Sequence, residues 1–252
     1  SAEHARRYQN LLLLISELNG EVVLMQKGTR MIEDTMSTAY RLYHDMSERN
    51  IDESLTRTAL QIARDVHEIK KDYIRIIQGI EEEISEEYDE KRMSFQDILK
   101  ILEDTTYHML EAKNVHIQLE FRCSDNFMTE EHYELMAVLK NLVNNAIEAI
   151  ESDRKIGTIC IEEHLRDGNY IFCVTDDGPG ISSRHLPNIF KMGYSTKFDH
   201  KTGNIFRGVG LYGVKMTVEE QFKGTIEVRS EQGSGTAFTV VIPATSLVEE
   251  EL

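Results

Sequence analysis

Apolar residues in the first part of the chain recur in alternating steps of four and three: Leu11, Ile15, Leu18, Val22, Met25, Thr29, Ile32, Met36, Ala39, Tyr43 and Met46, with Thr29 the polar exception. That is heptad spacing, the mark of a long helix with a narrow apolar seam. The seam stops at Arg49-Asn50-Ile51-Asp52, where Asp52 is suited to cap a new helix. A second seam runs through Leu55, Ala59, Ile62, Val66, Ile69, Tyr73, Ile76 and Ile80. Two helices with such stripes cannot bury them alone. The pattern predicts a hairpin that joins the same hairpin of a second chain in a dimeric four-helix bundle. The competing arrangement is an antiparallel pair packed on the chain's own globular part.

After an acidic stretch over residues 81–90 the period changes. Ser94 stands before a helical pattern that reaches about Lys113, with Ile98, Leu102 and Met109 on one side. Residues 115–121 alternate like a half-buried strand. Residues 130–150 read as helix, 158–164 as strand, Arg166-Asp167-Gly168-Asn169 as a hairpin turn and 170–176 as the next strand. Residues 211–221 read as helix, and 225–230 with 236–242 as a final hairpin across Gly233-Ser234-Gly235. The residues after Pro243 read as a frayed acidic tail. Strands and helices mix without a regular βαβ repeat, so the predicted class is α+β: a long-helix hairpin and then an α/β sandwich, not a doubly wound sheet.

Composition narrows the partners. A net charge of −16 argues against nucleic acid as the main partner, since phosphate backbones need clustered Lys and Arg. With 40% apolar residues and only three prolines the chain is expected to be ordered. Cys123, Cys160 and Cys173 lack the spacing of a disulfide framework or a zinc site. There is no run of apolar residues long enough to span a bilayer. The chain starts at Ser1 and is helix-like by residue 8, so it reads as the cytosolic part of a longer protein, tied to a membrane only through an upstream sensing region.

The candidate chemistry lies in the second half. In Val174-Thr175-Asp176-Asp177-Gly178-Pro179-Gly180-Ile181, a strand ends in Asp176, with glycines at 178 and 180. Backbone without side chains beside a rim carboxylate lets a flat ligand approach, although the string alone fits many turns. Upstream, Asn141, Asn145 and Glu148 share one face of the 130–150 helix, while Leu135, Leu139, Leu142 and Ala146 form its apolar face. Amide oxygens on such a face can hold a hydrated Mg²⁺, a cation that takes oxygen ligands and keeps several waters. Downstream, residues 184–210 read as a mobile lid with Gly193, Gly203, Gly208 and Gly210 and the cations Lys197 and Arg207. Gly208-Val209-Gly210, just before a helix that starts at Leu211, offers backbone N–H groups to a phosphate.

In this order, the asparagine helix, V-T-D-D-G-P-G-I, I-F-K-M-G-Y-S-T-K, G-V-G-L-Y-G-V-K and G-S-G-T-A-F make residues 94–243 resemble the ATP-binding domain of sensor histidine kinases. That domain has the Bergerat fold shared with gyrase-type, chaperone-type and mismatch-repair ATPases. The resemblance implies ATP and Mg²⁺ as ligands, with Asn145 on the metal and Asp176 accepting a hydrogen bond from the adenine amino group. It also implies that Gly178 and Gly180 admit the ring, Phe190 anchors the lid, Gly208 and Gly210 contact phosphates, and Thr236 supports Asp176. Hydrolytic relatives carry a glutamate base where this chain has Asn141, an amide that cannot take a proton at neutral pH. ATP is therefore expected to be kept for transfer.

A kinase of this kind needs an acceptor. His67, in Ala63-Arg64-Asp65-Val66-His67-Glu68-Ile69-Lys70-Lys71, is similar to the R-x-x-H-[DE] phospho-acceptor motif of the same family. Beside the seam residue Val66 it should be exposed, with Glu68 able to accept a proton or hold the tautomer. His44, in Tyr43-His44-Asp45, is the rival, because the short stretch between His67 and the ATP-binding domain leaves little room for another bundle helix. Lys71 stands where many relatives carry an amide or hydroxyl to position water, which argues against phosphatase activity. The implied organisation is a signalling and dimerisation helix over 1–52, an acceptor-bearing dimerisation helix over 53–93, an ATP-binding domain over 94–246 and a tail over 247–252. The implied partners are a second copy of the chain and a response-regulator receiver domain. The alternatives are a serine kinase of the anti-sigma-factor type and a catalytically silent dimeric scaffold.

Overall fold

The computed structural model describes residues 2–49, 52–86, 92–191, 194 and 210–248. Two compact units divide the chain: residues 21–89 form one, and residues 90–252 with 1–20 the other.

The first unit is built on residues 21–48 of α1 (Ala2–Glu48) and on α2 (Glu53–Glu86). Asp52 caps α2 as expected: its Oδ1 accepts from Ser54 N–H at 2.8 Å. The α1 seam is the protected face, with Val22 and Ala39 buried and Met25, Thr29, Ile32, Met36, Tyr43 and Met46 half-buried. The side chains of Leu11 and Ile15 lie outside the described residues. Thr29 keeps its place because its hydroxyl donates to the Met25 carbonyl at 3.3 Å. Tyr73 of α2 packs against Gly28 of α1, where an added Cβ would lie 3.0 Å from the phenol oxygen. Lys70 of α2 pairs with Glu33 of α1.

The second seam is only half as expected. Ala59, Ala63 and Ile77 are buried, and Val66, Lys70, Tyr73 and Ile80 are half-buried. The other half of the predicted seam, Leu55, Ile62, Ile69 and Ile76, stays 49–57% exposed at a spacing of seven. The α2 surface is wider than one partner helix can cover. Its flank shifts by one residue to Ala63, Lys70 and Ile77, and an exposed apolar row remains.

The second unit runs β1 (Met93–Ser94), α3 (Phe95–Lys113), β2 (His116–Cys123), β3 (Met128–Thr129), α4 (His132–Asp153), β4 (Ile156–Arg166), β5 (Asn169–Asp176), α5 (Gly210–Met216), β6 (Thr225–Ser230) and β7 (Thr236–Pro243). The main sheet has the order β2-β4-β5-β7-β6, with β2 parallel to β4 and every other pair antiparallel. This is the predicted α+β sandwich. Ser94 caps α3 through a bond from Asp97 N–H to its Oγ at 3.1 Å. Asp167 and Gly168 both have positive φ, 51° and 75°, and turn the β4–β5 hairpin. Inward residues of alternate strand positions, among them Ile159, Ile161, Phe172, Val174, Phe238 and Val240, meet the apolar faces of α3 and α4 in one core. Two expectations are corrected. The 211–221 helix begins at Gly210 and widens after Met216 into a π turn over Thr217–Gln221. The start of the tail is packed, since Leu247 is buried and Val248 touches the core; only residues beyond 248 lie outside the description.

One buried carboxylate ties the loop after β2 to the sheet. Glu163 of β4 is fully buried, and its Oε2 accepts from the Ser124 and Asp125 N–H groups at 3.0 and 2.9 Å. Tyr170 donates to Asp125 at 2.7 Å, and Asn126 Oδ1 accepts from Gln96 N–H at the start of α3 at 2.9 Å. Glu163→Ala leaves two N–H groups of the loop without their acceptor, so it is expected to cost about 1–3 kcal/mol of folding stability. Urea unfolding of the variant against the parent chain measures this, and a loss below about 1 kcal/mol would show that the loop does not depend on Glu163.

Candidate active site

The floor of the site is the polar edge of α4. Asn141 donates through its amide nitrogen to the Ala137 carbonyl at 2.9 Å, and Asn145 to the Asn141 carbonyl at 2.8 Å. Those carbonyls can only accept, so the amide orientations are fixed and both side-chain oxygens remain as acceptors. Leu135, Leu139, Leu142 and Ala146 are buried on the core side, as expected. At one end of the polar edge an added Cβ on Gly210 would sit 3.0 Å from Asn141 Oδ1, so the start of α5 abuts that residue. At the other end a Cβ on Gly178 would lie 3.5 Å from Ala149, one turn beyond Asn145. From residue 141 to 149 the helix rises about 12 Å. That span suits a nucleotide lying from its base to its phosphates, with Asn145 between.

The wall at the 149 end is Asp176, the last residue of β5 and only 5% exposed. Its Oδ1 accepts from Gly178 N–H at 2.9 Å. Burial pushes its carboxyl up to about 6, the Gly178 N–H opposes that, the neighbouring Asp177 charge raises it further, and the Thr236 N–H lowers it. A Cβ on Gly178 would fall 2.7 Å from Asp176 Oδ1. Gly235 has φ +86° and a Cβ there would lie 2.0 Å from the Asp176 carbonyl oxygen, so two close approaches hold this acid. Gly180 has φ +70° and presses on the Glu231 carbonyl in the same way. Thr236 is buried and faces Asp176 across the β5–β7 pair.

Sequence patterns missed the residue that joins these turns. Ser230 Oγ accepts from Ile181 N–H at 2.7 Å, donates to the Gly235 carbonyl at 2.8 Å and lies 3.0 Å from Thr236 Oγ1. One hydroxyl thus links the end of β6, the turn after Asp176 and the start of β7. A serine at a strand end has no signal in sequence; only the β6–β7 register reveals it. Gly157 was missed for a similar reason: a Cβ there would meet Asp177 Oδ1 at 2.5 Å.

Phe190 packs edge-on against Phe238, 6.3 Å between centroids, and Lys215 Nζ stands 5.7 Å above its ring. The base of the expected lid is thereby rooted in the core. Tyr194 reaches His185 Nδ1 at 2.5 Å. Leu211 is half-buried against the core. Lys197, Arg207 and Gly208 lie outside the described residues. In the other unit His67, Glu68 and Lys71 are exposed on α2 and His44 is exposed on α1, 3.7 Å from Glu48. The first long helix thus carries His44 and the second carries His67.

Residues 131–246 match the family described as histidine kinase-, DNA gyrase B-, and HSP90-like ATPase. The sensor histidine kinase GlnK of Bacillus subtilis is 28% identical over 97% of this chain and 58% of its own length. The sensor histidine kinase DcuS of Escherichia coli K12 is 39% identical over 49% of this chain and 21% of its length. The chain therefore spans little more than half of the first of these relatives and about a fifth of the second. Among solved structures, the catalytic domain of histidine kinase ThkA shares the fold, with a TM-score of 0.50 at 22% identity over 61% of this chain and 94% of that one. The mixed five-stranded sheet over α4 and the glycine-framed Asp176 define an ATP-binding domain of the Bergerat type. Through that domain the chain is similar to the sensor histidine kinases.

Proposed function

We propose that this chain is the cytoplasmic core of a two-component sensor histidine kinase, which phosphorylates itself on His67 and passes the group to a response-regulator aspartate. The observation that carries the reading is the pairing of a buried, glycine-framed carboxylate at the end of β5 with the amide-lined edge of α4. Asp176 accepts the adenine 6-amino hydrogen, and Gly178 and Gly180 leave the ring free to enter. Phosphates lie toward Asn141, Gly210 and the Leu211 N–H at the start of α5; Gly208 and Lys197 are assigned to them from the resemblance alone. The free Oδ1 of Asn145 is a hard oxygen donor and fits Mg²⁺, which when bound offsets the phosphate charge. Asn141 does not deprotonate water, so the γ-phosphoryl group is held for transfer.

In the transfer step an unprotonated ring nitrogen of His67 attacks the γ-phosphorus. The N–P bond forms as the bond to the ADP oxygen breaks, and ADP departs. Glu68 orients the ring and receives its proton. Exposure of His67 suits both this step and the later approach of a receiver domain. His67 is favoured over His44 for its fuller motif, and the match to GlnK across almost the whole chain supports an acceptor within these helices. The second copy of the chain docks along the exposed row Leu55, Ile62, Ile69 and Ile76. Among the described residues no helix is long and apolar enough to cross a membrane; attachment to one is assigned to a separate sensing region.

Incubation with γ-labelled ATP tests the reading. The label should enter the protein, be lost in acid and survive in base, vanish in His67→Gln and persist in His44→Gln. An acid-stable label points to a hydroxyl acceptor and removes the proposal; loss in His44→Gln alone moves the acceptor.

A further inference from the structure

The second acid of the D-D-G-P-G string does different work from the first. In the antiparallel β4–β5 pair Ile159 faces Asp176, so Thr158 and Asp177 are the next partners. An evenly continued ladder would have these two residues exchange both N–H···O bonds. Only one forms: Asp177 N–H donates to the Thr158 carbonyl at 3.3 Å. The Thr158 N–H donates instead to the Asp177 side chain, Oδ1, at 2.9 Å. The Asp177 carbonyl, freed from the ladder, accepts from Arg154 Nη2 at 2.6 Å. The same guanidinium pairs with Asp177 Oδ2 at 2.8 Å, and its Nε donates to the Ile156 carbonyl at 2.8 Å.

Strand β5 thus leaves the sheet at Asp177, and a carboxylate and a guanidinium replace the bonds given up there. Gly157 makes the replacement possible, since any side chain at that position would occupy the space of Asp177 Oδ1. The departure fixes where the chain turns after Asp176, and with it the direction of the buried carboxylate between Gly178 and Gly235. We propose that Asp177 and Arg154 are positioning residues for nucleotide recognition, which hold the end of β5 so that Asp176 reads the base. The inference rests on the reading of Asp176 as the adenine acceptor.

Nucleotide discrimination separates positioning from mere stability. Inosine triphosphate carries an oxo group in place of the 6-amino group, so a correctly aimed carboxylate rejects it, on the order of 100-fold against ATP. Calorimetric titration of the 252-residue chain with each nucleotide and Mg²⁺ measures the ratio, and a melting curve of each variant monitors the fold. Asp177→Ala and Arg154→Ala are expected to reduce the ATP preference roughly tenfold or more, because small misplacements of a recognition group are costly. Asp177→Asn keeps an oxygen for Thr158 N–H and should restore most of the preference. A melting point that falls while the preference stays intact would reduce the pair to a stability role and overturn the proposal. An unchanged preference in Asp177→Ala at an unchanged melting point overturns it as well. If Asp176→Ala also leaves the preference intact, it is the adenine reading itself that fails. If Asp176→Ala abolishes it and Asp177→Ala does not, only the positioning role is lost.

Discussion

Asp176→Asn is expected to weaken ATP binding by about 100-fold or more while raising the melting temperature of the nucleotide-free chain. The two effects have one cause. Asn preserves the shape of the side chain and an oxygen for Gly178 N–H, the bond seen at 2.9 Å. It also places an NH₂ donor where the adenine amino group must donate, so two donors confront each other in a buried site. The fold gains, because at neutral pH it no longer has to bury a carboxylate whose pKa has been pushed up to about 6. A group raised in the folded state is easiest to accommodate when protonated, and its ionisation erodes stability as pH rises from the ordinary carboxylate range to about 6. Removing that charge should return on the order of 1–2 kcal/mol. A variant that loses ATP and melts lower would indicate collapse of the site rather than loss of an acceptor.

The same carboxyl predicts how ATP binding depends on pH. The ionised form is the better acceptor, so binding is full above about 6 and is lost as pH falls through that value. If only the ionised form binds, affinity at one pH unit below the midpoint drops about tenfold. Titrations between pH 5 and pH 8 read this out. A flat profile in the parent chain would mean that Asp176 does not titrate in that range or does not face the base.

The sequence carried most of the fold because its local patterns are complete. Heptads located both long helices, Ser94 and Asp52 announced their caps, and Asp167-Gly168 announced a hairpin that needs two positive φ values. What the patterns could not show was how wide an apolar face becomes when packed. In the α2 seam Tyr73 settles beside Gly28 while Ala63 and Ile77 are buried, and no count along α2 alone reveals the glycine on α1. In the site, Asp176, Gly178 and Asn145 were legible as motif residues close in sequence to a recognisable element. Ser230, Gly157 and Arg154 were not, because each acts through a strand register or a helix end that becomes visible only in three dimensions. The packed tail was missed for a similar reason: Leu247 and Val248 stand beside an acidic end, and the core they join is gathered from the whole domain.

Ile62→Arg with Ile69→Arg is expected to convert the chain from dimer to monomer without loss of helix. The exposed row Leu55, Ile62, Ile69 and Ile76 sits one residue every seven along α2, so it forms a straight seam that a second copy can meet with its own. Each of these side chains is about half exposed. Covering the rest is worth about 1 kcal/mol apiece, and both copies contribute, for roughly 8 kcal/mol before the cost of association. That is enough to drive dimers only if the contact extends beyond the row, which the exposed Met31 and Tyr40 on α1 allow. Four buried guanidinium groups in the double variant have no acidic partner supplied by the row and should weaken association about 1000-fold or more. Sedimentation at micromolar concentration measures the state, and circular dichroism checks the helices. Gln78→Arg, exposed on α2 but off the row, serves as the control and should stay dimeric. A parent chain that sediments as a monomer, or a double variant that remains a dimer, would place the interface elsewhere and leave the row to some other occupant.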